Sequence, residues 1–286
     1  MRYEAPVTID AAVGLLVEES GIARILSGGT DLLVQMRSEM VEPDLIVDVK
    51  KINSMTTITD NNGGYRIGGA VSCAELNEHA GVKAMYPGVC EGADLIGSTQ
   101  VQGRATMTGN LCNAGPAADS VPCLVAIGAT ATVTGPNGSR EVAVEDIPQA
   151  PGKTSLAKHE LVEAINLPAK ASNTGDAYLR FIPRSEMDIA VVGCGVCLSI
   201  DDNGTCTNAK VVLGAVAIKV VIVEDAAKAL IGTKLDEAAL EKMAAAASAA
   251  CKPINDKRGT IEFRTKVAGV LAKRAALIAL DRARGV

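Results

Sequence analysis

Between Thr106 and Pro122 the chain reads Thr-Met-Thr-Gly-Asn-Leu-Cys-Asn-Ala-Gly-Pro-Ala-Ala-Asp-Ser-Val-Pro. Small residues, amides and hydroxyls dominate, so the segment buries little apolar area and leaves many backbone groups in need of partners. This excludes an ordinary core element and predicts a loop that closes over a polar ligand, best a phosphate. Gly109 permits close backbone approach or positive φ, Asn110 and Asn113 supply amides, and Asp119 can take a sugar hydroxyl. Taken alone, the same letters also fit a plain Gly/Asn surface loop.

A second segment of this kind lies upstream. Thr8 can cap a helix over about 9–19, with Ala12, Leu15 and Leu16 on one face and Gly21 closing it. Ala23–Leu26 then reads as a short strand that runs into Ser27-Gly-Gly-Thr-Asp31 and a short helix carrying Leu32, Leu33 and Met36. Strand, glycine turn and helix start aim backbone N–H groups at an anion. Pro43 ends that helix, and Leu45–Val49 is a second strand, so the region is a small β-α-β unit. Neither G-x-G-x-x-G nor G-x-x-x-x-G-K-[ST] occurs, which excludes a Rossmann fingerprint and a P-loop.

Composition narrows the classes. The 286 residues suit two or three compact units, and 48% hydrophobic with 21% charged residues describes a globular chain. Aromatics make up 2% and Trp is absent, so the core must come from Ala, Val, Ile and Leu, and the stacking platforms of single-stranded nucleic-acid binders are missing. A net charge of −5 without a basic tract argues against binding phosphate backbones or anionic membranes. No apolar run reaches the roughly 18–20 residues that span a bilayer. Eight scattered Cys and a start that lacks an apolar signal segment predict a reduced, cytoplasmic setting.

Further along, Met55–Ile58 and Tyr65–Val71 read as a hairpin around Asp60–Gly64. Helices follow over 73–79 and 82–97, the latter broken at Pro87-Gly88. Residues 122–128 read as a short helix, Ala131–Thr134 with Arg140–Val144 as a hairpin, and Leu161–Leu167 as a strand. From Ala177 the pattern changes to strands at Tyr178–Phe181, Ile189–Ile200 and Ala209–Val216. Helices come next at 224–230, 236–250 and 260–283, the last favouring one side with Phe263, Val267, Val270, Leu271, Leu277 and Ile278. The expected units are 1–55, 56–175 and 176–286.

Cys194-x-x-Cys197 has a metal-site spacing, yet it lies in a predicted strand, where i and i+3 point to opposite faces, so both thiols read as core. Cys112 and Cys123 read as packing residues. His79 and His159, the only histidines, lack clustered Cys or carboxylates and read as solvated side chains, so no metal site and no protein acid–base pair is expected.

Ser27-Gly-Gly-Thr-Asp-Leu-Leu33, Thr106-Met-Thr-Gly-Asn-Leu111 and Pro116-Ala-Ala-Asp119 together resemble the FAD-binding medium subunit of the molybdenum hydroxylases, the xanthine dehydrogenase and aerobic carbon-monoxide dehydrogenase family. Ile67-Gly-Gly-Ala70, Gly97–Gln100, Met187-Asp-Ile-Ala190, Leu213-Gly-Ala-Val216 and Arg274-Ala-Ala extend the resemblance over essentially the whole chain. It implies an α+β fold: two α+β subdomains clasping FAD in the manner of the vanillyl-alcohol-oxidase superfamily, then a C-terminal domain of a three-stranded antiparallel sheet and a helical bundle. Electrons would come from a [2Fe-2S] small subunit fed by a molybdopterin-binding large subunit, in a dimer of heterotrimers, and leave FAD for an external acceptor.

Carried over by position, Ile25, Leu26, Ser27, Gly28, Gly29, Thr30, Asp31 and Leu32 would wrap the diphosphate. Thr106, Gly109, Asn110 and Asn113 would form the second cradle, with Asp119 near the ribityl or ribose hydroxyls. Leu161 and Val162 would flank the adenine, Arg180 and Phe181 the flavin, and Val101, Ala105 and Ala118 would complete the set. Ala105 and Thr108 stand where the family usually has glycine, and Ile218–Val223 stands where a proline usually follows Val216. A stand-alone flavin oxidase of the same superfamily is the alternative, but the Ala-rich C-terminal third has few of the aromatic and acid–base residues that a substrate pocket would need. An assembly protein with degenerate loops and no flavin is the third reading, supported only by Ala105 and Thr108.

Overall fold

A computed structural model describes residues 1–286. The first unit holds β1 (Arg2–Glu4), α1 (Ile9–Glu18), β2 (Ala23–Leu26), α2 (Leu32–Arg37) and β3 (Leu45–Asp48). Its three strands run parallel in the order β1-β3-β2. Thr8 caps α1 by accepting from the Ala11 N–H at 3.2 Å, which turns Ala12, Val13 and Leu16 inward onto Leu45 and Val47 of the central strand. No side chain of α2 is buried, so that helix rides on the surface.

The second unit begins with β4 (Ile58–Asn61) and β5 (Gly64–Gly68). Six short helices follow: α3 (Cys73–Glu78), α4 (Ala80–Met85), α5 (Pro87–Asp94), α6 (Thr99–Gln102), α7 (Met107–Cys112) and α8 (Ser120–Ala126). The strands β6 (Thr130–Gly135), β7 (Gly138–Ala143), β8 (Pro148–Ala150), β9 (Lys153–Thr154) and β10 (Leu161–Leu167) complete it. Five of its strands form a sheet in the order β4-β5-β10-β6-β7, and β8 pairs separately with β9. The first hairpin starts three residues later than expected, because Asn53–Met55 winds into a 3₁₀ turn that plugs the core with Met55.

The largest correction concerns 106–122. Thr106 caps a helix there, its hydroxyl accepting from the Gly109 N–H at 2.9 Å, and Met107, Leu111 and Ala118 enter the core of this unit. The few large side chains of the segment face inward, and Thr106, Thr108 and Ser120 are buried with them, while Asn110 and Asn113 stay half-buried. Neither Ala105 nor Thr108 adopts positive φ, so the two departures from glycine cost no backbone strain.

The third unit is a four-stranded antiparallel sheet, β11 (Thr174–Phe181), β12 (Val192–Ile200), β13 (Cys206–Gly214) and β14 (Val221–Ile222). It has one strand more than expected, formed where Val221 pairs with Leu213 inside the apolar run 218–223. Helices α9 (Glu224–Leu230), α10 (Glu237–Ala249) and α11 (Ile261–Ala283) cover one face, and α8 covers the other. Cys194 accordingly packs among the C-terminal helices and Cys197 against the second unit, on opposite faces of β12. All seven residues of α8 are buried because it is sandwiched between two cores.

The expected apolar face of α11 is corrected in part: Leu271 is buried and Val267 and Ile278 pack half-buried against the core, but the other three lie outside. Phe263, Val270 and Leu277 are 41%, 43% and 39% exposed, whereas Ala268, Ala272, Ala275, Ala276 and Ala279 are fully buried. Small residues face inward because α11 lies almost in backbone contact with β11, where a Cβ added at Gly175 would overlap the Ala279 carbonyl oxygen. We therefore expect Gly175→Ala to lower stability by about 2–3 kcal/mol in urea unfolding, the scale of core overpacking. Gly14→Ala in α1, where an added Cβ meets nothing within 4 Å, should raise stability by about 0.5–1 kcal/mol through helix propensity.

Candidate cofactor-binding cleft

A cleft of about 780 Å³ runs between the first two units, at the upper end of the range usual for small-molecule sites. One wall is the turn after β2. Gly29 there has φ of +77°, open to glycine, and Gly28 lies so close to the second unit that a Cβ would overlap the Arg104 carbonyl oxygen. Ser27 Oγ donates to the Gly69 carbonyl at 2.8 Å and lies 3.1 Å from Thr106 Oγ1. Since the Ser27 proton is committed to a carbonyl, Thr106 is the donor between the two hydroxyls. Beneath the turn Lys50 Nζ donates to the Ser27 carbonyl at 3.0 Å and pairs with Asp48 at 2.8 Å, and Tyr3 donates to the same carboxylate.

The opposite wall comes from α7. The Asn110 amide oxygen accepts from the Ser120 N–H at 3.1 Å and its hydroxyl at 2.8 Å, which orients the Asn110 side chain. From α2, Gln35 reaches across and donates to Asn113 Oδ1 at 3.0 Å. No hydrogen bond within the chain uses the backbone N–H groups of Gly28, Gly29, Thr30 or Asp31. The two glycine-bearing segments, more than 70 residues apart in sequence, thus face one cavity, and the first brings free backbone donors to it.

Of the residues picked from sequence, Ile25, Ser27, Gly28, Gly29, Thr30, Asp31, Leu32, Thr106, Gly109, Asn110 and Asn113 line the cleft. The others do not. Ala105, Ala118, Leu161 and Val162 are buried in the cores, and Val101 and Leu26 are half-buried beside them. Phe181 packs edge-on against Phe263, ring centroids 5.6 Å apart. Arg180 Nη1 donates to the Leu95 carbonyl at 2.8 Å, one residue from Ile96 at the cleft wall, and pairs with Asp119 at 2.9 Å. Tyr178 donates to the other Asp119 oxygen at 2.9 Å. Both oxygens of the carboxylate expected to meet a sugar hydroxyl therefore already have protein partners.

Sequence reasoning missed Gln35 and the segment 156–160, which also line the cleft. His159 is not solvated as expected: it is half-buried, with Nδ1 2.6 Å from the Leu16 carbonyl. His79 caps α4 by accepting from the Val82 N–H and lies edge-on to Tyr65. Gln35 could have been suspected from its place one helical turn after Asp31. Nothing local marks 156–160, because its role depends on a tertiary contact. No cluster of His, Cys, Asp or Glu is arranged to hold a metal ion.

Residues 1–170 match the FAD binding domain in molybdopterin dehydrogenase, and residues 177–279 match the CO dehydrogenase flavoprotein C-terminal domain. The carbon monoxide dehydrogenase medium chain of Afipia carboxidovorans is 34% identical, over 99% of this chain and 97% of its own length. The xanthine dehydrogenase FAD-binding subunit of Escherichia coli O157:H7 is 27% identical over 99% and 97% of the two chains. A chain of the solved carbon monoxide dehydrogenase of Hydrogenophaga pseudoflava superposes with a TM-score of 0.94 at 31% identity, covering 99% of this chain and 98% of that one.

Burial pushes the Asp119 carboxyl up to about 6 from its ordinary 3.8, against the opposing pull of Arg180 and Tyr178. Between these values the folded chain holds a proton on Asp119 that the unfolded chain does not. Linkage then makes this group's contribution to stability rise as pH falls from about 6 to about 4. Urea unfolding of the wild type and of Asp119→Asn over that range should show the wild type gaining relative to the variant toward acid. The opposite slope would show that the ion pair with Arg180 outweighs burial.

Proposed function

The chain belongs to the family of FAD-binding medium subunits of the molybdenum hydroxylases, and from that premise we propose how its cleft holds the flavin and which chains it works with. It is an oxidoreductase flavoprotein subunit of a multi-subunit dehydrogenase. The observation that carries the assignment of residues is the convergence of the turn 27–31 and α7 on one cavity, with four backbone N–H groups left unbonded. Those donors fit a diphosphate. The missing Cβ of Gly28 lets the two segments meet, and Ser27, Thr106 and Gln35 fix the width between the walls. Lys50, the cation beneath the first turn, is already paired with Asp48, so the two phosphate charges would be met mainly by backbone dipoles.

In this reading Gly28, Gly29, Thr30 and Asp31 hold the diphosphate, and Thr106, Gly109, Asn110 and Asn113 the opposite side. Leu161 and Val162 back the adenine end from within the core. Arg180 and Phe181 belong to the flavin end, where Arg180 meets Leu95 beside Ile96. Asp119 acts there through Arg180, holding the guanidinium in place. FAD supplies a centre that accepts two electrons and can release them to a different acceptor. The chain itself binds, orients and shields, and the redox step belongs to the flavin.

The partners we propose are a molybdopterin-binding large subunit and a [2Fe-2S] small subunit, in two copies of each heterotrimer. The names of the relatives, a medium chain and a FAD-binding subunit, support this. The proposed setting is cytoplasmic, which eight free cysteines fit. No helix is long and apolar enough to cross a membrane. The boundaries we propose are near 55 and 175, where one sheet ends and the next begins.

Purified alone and given FAD, the chain should turn yellow yet oxidise no substrate, and turnover should appear only after its partner subunits are added. Substrate-driven bleaching of the lone chain would instead establish a stand-alone oxidase. Gly28→Val should weaken FAD binding by about a hundredfold or more, equivalent to about 3 kcal/mol, because the side chain forces the two walls apart. Equilibrium dialysis measures this, and unchanged affinity would exclude the turn from the cofactor site.

A further inference from the structure

Among the residues that line the cleft, His159 is held in a backbone conformation that side chains seldom adopt. Its φ is +148°, a region that favours glycine. Strain of this kind persists where the surroundings over-determine it. Here they do: Nδ1 lies 2.6 Å from the Leu16 carbonyl, and the next residue is pinned from behind, Glu160 accepting from Arg140 at 2.9 and 2.8 Å and from the Ala157 N–H at 2.8 Å. A carbonyl can only accept, so Nδ1 carries the ring proton. In the neutral ring Nε2 therefore presents a lone pair, and Nδ1 is the only atom of this ring engaged within the chain.

The half-buried His159 lines the cleft together with Leu16 and Leu156, two residues before Leu161. An apolar slot with one fixed acceptor suits a flat heterocycle that carries an exocyclic amine. Adenine has such a group. The edge of a flavin ring offers an N–H set between two carbonyls, whose oxygens would face the Nε2 lone pair. We infer that His159 Nε2 accepts a hydrogen bond from the 6-amino group of the FAD adenine, making His159 the residue that selects an adenine dinucleotide. The inference rests on the reading of the cleft as a FAD site.

The test is equilibrium dialysis of the full-length, flavin-free chain against FAD, FMN and deaminated FAD, in which an oxo group replaces the 6-amino group. The wild type should bind FAD about tenfold more tightly than the deaminated form, which opposes an acceptor to Nε2. His159→Gly, a substitution the backbone accepts without strain, should bind the two within about twofold. Its FMN affinity should match the wild type's, reporting an intact fold and flavin end. The inference is overturned if the wild type does not distinguish FAD from deaminated FAD, or if His159→Gly keeps the distinction. Failure of the wild type to bind any of the three flavins is a separate result, which overturns the FAD reading and this inference with it.

Discussion

The cleft exists because residue 28 has no side chain. Gly28 rests against the Arg104 carbonyl, and this contact brings the end of β2 to the start of α7. The hydroxyls of Ser27 and Thr106 then lock the approach, with Gly69 accepting the Ser27 proton. Everything behind these walls serves the same distance. The parallel three-stranded sheet is held to the second unit through Met55, Ala70 and Leu161, so neither wall can drift without opening a core. A cavity bounded by packed sheets keeps its donors fixed, which lets backbone dipoles do what mobile cations do elsewhere.

Scarcity of aromatics shapes the rest. With only Phe181, Phe263 and four Tyr available, layers are joined by close backbone approach and not by large side chains. Pro122 of α8 meets β12 at Gly195, where a Cβ would lie 2.5 Å from the Pro122 carbonyl oxygen. The alanine face of α11 follows the same rule against β11. Tyr178 is the exception, the largest fully buried side chain, and its hydroxyl is satisfied by Asp119. Residues 178 and 180 point to one face of their strand, so a single carboxylate at the head of α8 fixes the register of β11 against the second unit. Such buried pairs contribute little net stability, and specifying one arrangement is the role left to this one.

The order and type of the elements were legible where periodicity was strong. Leu161–Leu167, buried at all but two positions, and the long C-terminal helix were placed to within a residue or so. Faces were harder to read. In α11 apolar size pointed to Phe263 and Val270, while the packing distance demanded alanine. In 106–122 the polar residues suggested a loop, although Met107 and Leu111 sat at the spacing of a single helical turn. The two cradles themselves were legible because glycine, hydroxyl and amide carry local chemistry. The segment 156–160 was not: His159 gains its place from a carbonyl 143 residues away, and no window of sequence contains both groups.

A chain that relays electrons has little need of its own proton chemistry, and its composition reflects that. Its only two imidazoles are committed, one to a helix cap and one to the cleft wall. Its buried carboxylates are engaged as well: Asp119 with Arg180 and Tyr178, and Asp176 with Lys170 and the Gly88 N–H. These pairs all join β11 to the second unit, so the C-terminal domain reaches the cleft only through a braced guanidinium beside Leu95. Geometry of this kind sets orientation, and orientation is what a protein must supply when the redox step belongs to a bound flavin. The carboxylates at this interface are spent on ion pairs, which leaves them to set geometry and not to exchange protons with a substrate.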